Sequence, residues 1–187
     1  MHSIFASIAD AKLWSGANIP PNQEALIPIN GQFQRWRFAL GSAAVDTSEQ
    51  LVFAPTTSPA SGKWTRADPV VDLKLPWAFN TANNTVLLTV PTGLRLNVLR
   101  VVPETVVPLT GLDTGSIGLG STITLNAGGL ATITGLLGGF QGFPGVDIAS
   151  PQSTTLVAGD AFRHNLLVAG YTAGSGFWHA LCALLQT

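Results

Sequence analysis

Charge is what this sequence has least of. Lysine, arginine, aspartate and glutamate together make up 10% of its 187 residues, and the net charge is −1; ordinary soluble domains carry roughly 25% charged residues. So little charge gives weak electrostatic repulsion against association, and the expectation is self-association or docking onto a partner. The nine basic residues are also scattered. Phosphate binding depends on clustered lysine and arginine, so nucleic acid is not expected as the main partner. Cys182 is the single cysteine, which excludes an internal disulfide, and no Cys/His cluster suggests zinc. A membrane span needs about 18 or more consecutive apolar residues, and none occurs. The nearest stretch, Gly128 to Phe143, is broken by glycines and by Thr132, Thr134 and Gln141. Met1 to Trp14 lacks a basic region followed by an apolar run, so no signal peptide is read there.

What is present is apolar and alternating. Apolar residues make up 46% of the chain, enough in a chain of this length to enclose a core in one large or two small domains. Arg35-Trp36-Arg37-Phe38 puts both arginines on one face and both aromatics on the other, the pattern of a half-buried strand. Val70 to Leu75 repeats it, with Asp72 and Lys74 opposite Val71, Leu73 and Leu75. In Leu94 to Val102 the alternation places Leu94, Leu96, Val98 and Val102 together. Phe177 to Leu185 is apolar on both faces and reads as a central strand covered on both sides. Turn chemistry at Asn30-Gly31, Pro59 to Gly62, Asn83-Asn84, Pro91-Thr92-Gly93 and Gly170 to Gly176 separates these runs. Twenty glycines and twelve prolines argue against long helices.

The expected fold is therefore all-β: an antiparallel β-sandwich or jelly-roll-like domain over 67–187, preceded by a small β module over 16–66 and an N-terminal arm over 1–15. The boundary is placed where the texture changes near residue 67, from strands with mixed-in charges to longer apolar runs and Gly/Thr/Leu-rich loops. Ile4 to Leu13 reads either as a short helix or as an arm that orders on a neighbour.

Chemistry-bearing groups do not converge. His2, His164 and His179 are the only imidazoles, and the latter two fall in expected strands as packed or surface residues. No G-x-S-x-G elbow occurs, and the acids are spread singly, Asp46 and Glu49 being the closest grouping. Asp46 suits a turn with Asx-type backbone hydrogen bonds. Gly115-Ser116-Ile117-Gly118-Leu119-Gly120 has neither the glycine spacing nor the lysine of a phosphate loop and reads as a tight packing loop. No enzyme activity, cofactor or metal is expected. Of the tryptophans, Trp36 and Trp178 sit in expected strands, whereas Trp14 and Trp77 lie nearer turns and are better placed to touch a partner.

Two stretches resemble proteins of tailed-bacteriophage virions. Ser42-Ala43-Ala44-Val45-Asp46, Phe53-Ala54-Pro55 and Gly62-Lys63-Trp64 resemble a small β module of phage tail and head-decoration proteins, with Thr47 standing where that module has a second acid. Val71 to Leu75, Val90 to Leu96, Leu109-Thr110-Gly111, Gly115 to Leu119, Gly135 to Gly139, Val157 to Asp160 and Tyr171 to Phe177 are similar to a phage structural β domain. The resemblance implies a virion protein made in the host bacterial cytoplasm: a capsid cement or decoration subunit on the outer face of the shell, contacting the major capsid protein and itself as a homotrimer, with no nucleic acid or membrane partner. Its alternative is a tail or baseplate protein that adheres to host glycans. The contact residues expected on the leading reading are Ile4, Phe5, Ile8, Leu13 and Trp14 in the arm, Trp77, and Leu112, Ile117, Leu119, Leu136, Leu137, Phe140 and Phe143 in or beside the glycine-rich loops.

Overall fold

The computed structural model describes residues 2–29, 31–46, 48–111, 116–121, 130–134, 146–147 and 154–186. The chain divides into two compact units, the first formed by residues 1–69 with 91–94 and 186–187, the second by 70–90 and 95–185. The division between residues 69 and 70 lies close to the texture change in the sequence.

Unit 1 opens with β1 (His2–Ile4) and a short helix α1 (Ile8–Leu13). Ser7 caps the helix, its hydroxyl oxygen accepting from the Asp10 N–H at 3.1 Å, which satisfies one of the otherwise unpaired first-turn donors. Strands β2 (Glu24–Ile29), β3 (Gln32–Leu40), β4 (Val52–Phe53) and β5 (Gly62–Arg66) follow. The sheet order is β1-β2-β3-β5-β4, antiparallel except for the parallel pair β1–β2. Residues 2–13 are thus a strand and a helix of unit 1, not a separate arm. Ile4 belongs to the strand, and the helix begins at Ile8, capped by Ser7.

The alternation expected at Arg35 to Phe38 is present: Trp36 and Phe38 are fully buried. They join Ala11, Ile19, Ala25, Ile27, Phe53 and Trp64 in one core, against which Phe5, Ile8, Trp14 and Ile29 pack. Asp46 makes the expected Asx-type turn, Oδ1 accepting from the Ser48 N–H at 2.9 Å and Oδ2 from the Leu51 N–H at 2.7 Å.

Unit 2 is built from β6 (Val70–Ala78), β7 (Thr85–Thr89), β8 (Leu94–Gly111), β9 (Ser116–Ser121), β10 (Ala131–Thr134), β11 (Val146–Asp147), β12 (Thr154–Leu156), β13 (Ala161–Val168) and β14 (Tyr171–Gln186). They form two sheets, β11-β10-β9-β13-β7 and β12-β8-β14-β6. The chain is therefore all-β and sandwich-like, as its alternation requires. β14 pairs antiparallel with β6 from Ser175 opposite Ala78 to Ala183 opposite Val70. Pro76 is tolerated in β6 because the strand lies at a sheet edge.

Three readings of the sequence need correction. The expected turn over Gly170 to Gly176 is strand from Tyr171 onward: Gly174 and Gly176 lie inside β14, and only Gly170 falls in the connection from β13. A Cβ on Gly176 would stand 1.9 Å from the Glu104 carbonyl oxygen and 2.8 Å from Trp77 Cζ2, so glycine is there for close approach, not for chain reversal. In β8 the buried phase runs through Leu94, Leu96 and Val98, then shifts: Leu99 and Arg100 are both exposed, and Val101 takes the buried place expected of Val102. One slipped residue turns every later side chain to the other face. Finally, β14 is central and buries Trp178, Ala180, Cys182 and Leu184, but its other face, with Leu181 and Leu185, is partly exposed rather than covered.

Candidate functional site

The contact residues expected from the sequence separate into three groups. In unit 1, Trp64 is the hub of an aromatic cluster, with ring centroids 6.0 Å from Phe5, 6.4 Å from Trp14, 5.5 Å from Phe38 and 6.2 Å from Phe53. Phe5 and Trp14 are 5.8 Å apart. Phe5, Ile8 and Trp14 therefore spend their apolar surface on the protein's own core. Ile4 and Leu13, by contrast, point outward, 71% and 74% exposed. The Gly62-Lys63-Trp64 motif has a packing cause: a Cβ on Gly62 would sit 2.5 Å from the Ala39 carbonyl oxygen and 2.7 Å from Phe38 Cζ, so only glycine lets the Phe38 ring lie against the strand that carries Trp64.

The second group is interior. Trp77, expected near a turn and open to a partner, is 2% exposed, 6.4 Å from the Trp178 ring. Ile117 and Leu119, expected in a tight packing loop, are fully buried on β9, which lies between β10 and β13. Their period-two spacing is that of a strand, and the interleaved glycines disguised it. None of these three is available to a partner. The third group, Leu112, Leu136, Leu137, Phe140 and Phe143, lies outside the described residues.

The Arg35-Trp36-Arg37 triplet offers no stacking surface for nucleic-acid bases, because the indole is buried. Arg37 pairs with Glu24 at 3.0 Å, and Arg35 donates to the Ala67 carbonyl oxygen at 3.0 Å.

The polar constellation that sequence reading missed is on unit 2. His179 on β14 stands between two carboxylates: Nδ1 is 3.0 Å from Asp72 Oδ2 on β6, and Nε2 is 2.9 Å from Glu104 Oε2 on β8. Lys74 Nζ reaches the same Glu104 oxygen at 3.2 Å and lies 4.1 Å from the Phe177 ring centre, a cation–π distance. Strand order explains the convergence. β14 runs between β8 and β6, and alternation sends His179 to the face opposite Trp178.

Partial burial pulls the His179 pKa down, but hydrogen bonding to Glu104 and Asp72 and attraction to both charges prevail and raise it above the ordinary histidine value. Glu104 is held below the usual carboxylate value by its hydrogen bonds to His179 and then Lys74. Because the ring separates the two carboxylates, the three groups share no common point for a cation, and among the described residues no His/Cys/Asp/Glu group is arranged to hold a metal.

His164 is the opposite case. It is fully buried on β13, opposite Leu119 of β9, and neither ring nitrogen has a hydrogen-bond partner among the described residues. Burial lowers its pKa, favouring the neutral ring. Cys182 is buried on the inner face of β14, its thiol pushed up to about 12 by burial and by the Asp72 charge, which makes it a packing residue rather than a nucleophile. Among the described residues no helix is long and apolar enough to cross a membrane. Comparison with known proteins finds no family model, curated protein or solved structure that matches the chain.

Proposed function

We propose that this chain is a non-enzymatic structural subunit of a bacteriophage virion: a cement or decoration protein that docks on the outer face of the shell, contacts the major capsid protein and copies of itself as a homotrimer, and stabilises joints between capsomers. The observation that carries this reading is apolar surface on a chain with little charge. Ile4, Leu13, Phe33, Leu40 and Val45 on unit 1 are all more than 60% exposed, while charged residues make up only 10% of the sequence. The resemblance of the Ser42 to Asp46 and Gly62 to Trp64 motifs to head-decoration modules supports the virion assignment. The non-enzymatic part rests on chemistry. Both His179 nitrogens are committed to carboxylates and His164 is fully buried, so neither imidazole is poised as a general base.

The mechanism is burial repeated over a lattice. Fully burying a large aliphatic side chain is worth about 1.5–3 kcal/mol. Ile4 and Leu13, already about one-quarter covered, would each contribute about 1–2 kcal/mol at an interface. Ile4→Asp with Leu13→Asp should therefore weaken binding to empty shells by about 30- to 700-fold without unfolding unit 1, because neither side chain is in its core. Undiminished binding by a folded double variant would remove the N-terminal segment from the interface. The tail or baseplate reading names Trp14 and Trp77 as glycan platforms; Trp77 is buried and Trp14 is partly buried against the core of unit 1, which leaves that reading with less exposed aromatic surface.

A further inference from the structure

One imidazole spans three strands of the second unit. Carboxylate oxygens at neutral pH only accept hydrogen bonds, and both His179 ring nitrogens lie within 3.0 Å of such an oxygen, Asp72 Oδ2 on one side and Glu104 Oε2 on the other. Two acceptors flanking one ring require two N–H donors. A neutral imidazole has one, so either tautomer would turn a nitrogen lone pair toward a carboxylate at hydrogen-bond distance, which is repulsive. The contacts themselves therefore specify the imidazolium. The charged groups facing the ring are Asp72 and Lys74 from β6 and Glu104 from β8; Lys74 spans β14 to reach the same Glu104 oxygen.

We propose that His179 is a proton-dependent latch: protonated, it ties the edge strand β6 to β8 across β14, and on losing its proton it releases one of the two ties. The responsive element is the edge strand, whose other ties to this sheet are its pairing with β14 and the Lys74–Glu104 ion pair. The latch closes within a pH window. Its upper limit is His179: a folded-state pKa raised above the unfolded value of 6.5 gives stability that is complete below 6.5 and lost as pH rises through the raised value. Its lower limit is Glu104. A carboxyl held below its ordinary 4.5 contributes above that value and loses the contribution as pH falls through the lowered one. The inference rests on these contacts alone and is independent of the virion reading.

The test is a titration of the full chain with 15N-labelled imidazoles, the His179 resonances being assigned through backbone connectivity. At pH 6.5 both ring nitrogens should resonate as N–H nitrogens, and the titration midpoint should lie above 6.5, falling by at least half a pH unit in Asp72→Asn with Glu104→Gln. A midpoint at or below 6.5, or one indifferent to that double substitution, overturns the latch. A second readout separates it from a merely structural role: the urea-midpoint difference between wild type and His179→Gln should be greatest near pH 5.5–6 and shrink as pH rises through the His179 titration. A difference constant with pH overturns the proposal. Should the His179→Gln chain not fold, the wild-type titration decides alone.

Discussion

Removing residues 1–14 should strongly destabilise the first unit rather than free it of an appendage. The deletion takes away β1, which pairs with β2 at His2, Ser3 and Ile4, and the side chains of Phe5, Ile8 and Trp14, which pack on the core. Half-burial of a large apolar side chain is worth about half of 1.5–3 kcal/mol, so these three contribute about 2–4 kcal/mol. Trp64 also loses its contacts with the Phe5 and Trp14 rings, at about 0.5–1.5 kcal/mol each. The sum, about 3–7 kcal/mol, is comparable with the whole stability of a small domain, about 5–15 kcal/mol. For a unit of this size the melting temperature should fall by at least about 12 °C. Hydrogen exchange with peptide resolution locates the damage: the amides of residues 32–40 and 62–66, the strands around Trp64, should lose protection, while those of residues 171–185 keep it. Unchanged protection at 32–40 and 62–66, with a melting shift under about 4 °C, would refute the placement of Phe5 and Trp14 in the core. The same reasoning makes Ile4→Asp with Leu13→Asp the cleaner probe of docking, since the truncation confounds binding with folding.

Two further substitutions probe the second unit. Gly176→Ala places a methyl group against the Glu104 carbonyl oxygen and the Trp77 ring and should destabilise the protein by about 1–3 kcal/mol, read as a lowered urea midpoint; an unchanged midpoint would contradict the close approach of β14 and β8. His164→Leu removes a buried ring whose two nitrogens have no partner among the described residues and should stabilise by about 1–2 kcal/mol. Because the His164 pKa is lowered by burial, its unfolded form takes up a proton first as pH falls, so stability declines on the acid side of 6.5. The leucine variant should lose that part of the acid decline, and an equally steep decline would place the effect elsewhere.

Much of the fold was legible because strand alternation is local. Arg35 to Phe38 and Val70 to Leu75 each expose and bury residues in the phase that their own side chains dictate. Reading failed where the local signal was ambiguous or interrupted. Glycines inside β9 read as a tight loop and those inside β14 as a turn because glycine serves both chain reversal and close approach, and only the neighbouring Glu104 carbonyl distinguishes the two at Gly176. The phase shift at Leu99 and Arg100 has no composition mark, since either phase of Val101 and Val102 is equally apolar. The N-terminal segment reads as an arm because its amphipathic stretch is short; Ser7, an N-cap residue three before Asp10, was the available sign of a docked helix. The His179 site could not be found from spacing. Asp72, Glu104 and His179 are far apart in the chain and meet only through the order β8-β14-β6. The one hint was a lone imidazole in the otherwise apolar run from Phe177 to Leu185.

The central claim is a place in a particle, and the most direct measurement is where the protein sits in one. Virions carrying this chain, labelled with a gold-conjugated antibody against it and imaged by electron microscopy, should bear label distributed over the icosahedral shell, with Ile4→Asp and Leu13→Asp together depleting it. Label confined to the tail tip or baseplate, or particles that carry none, would contradict the account.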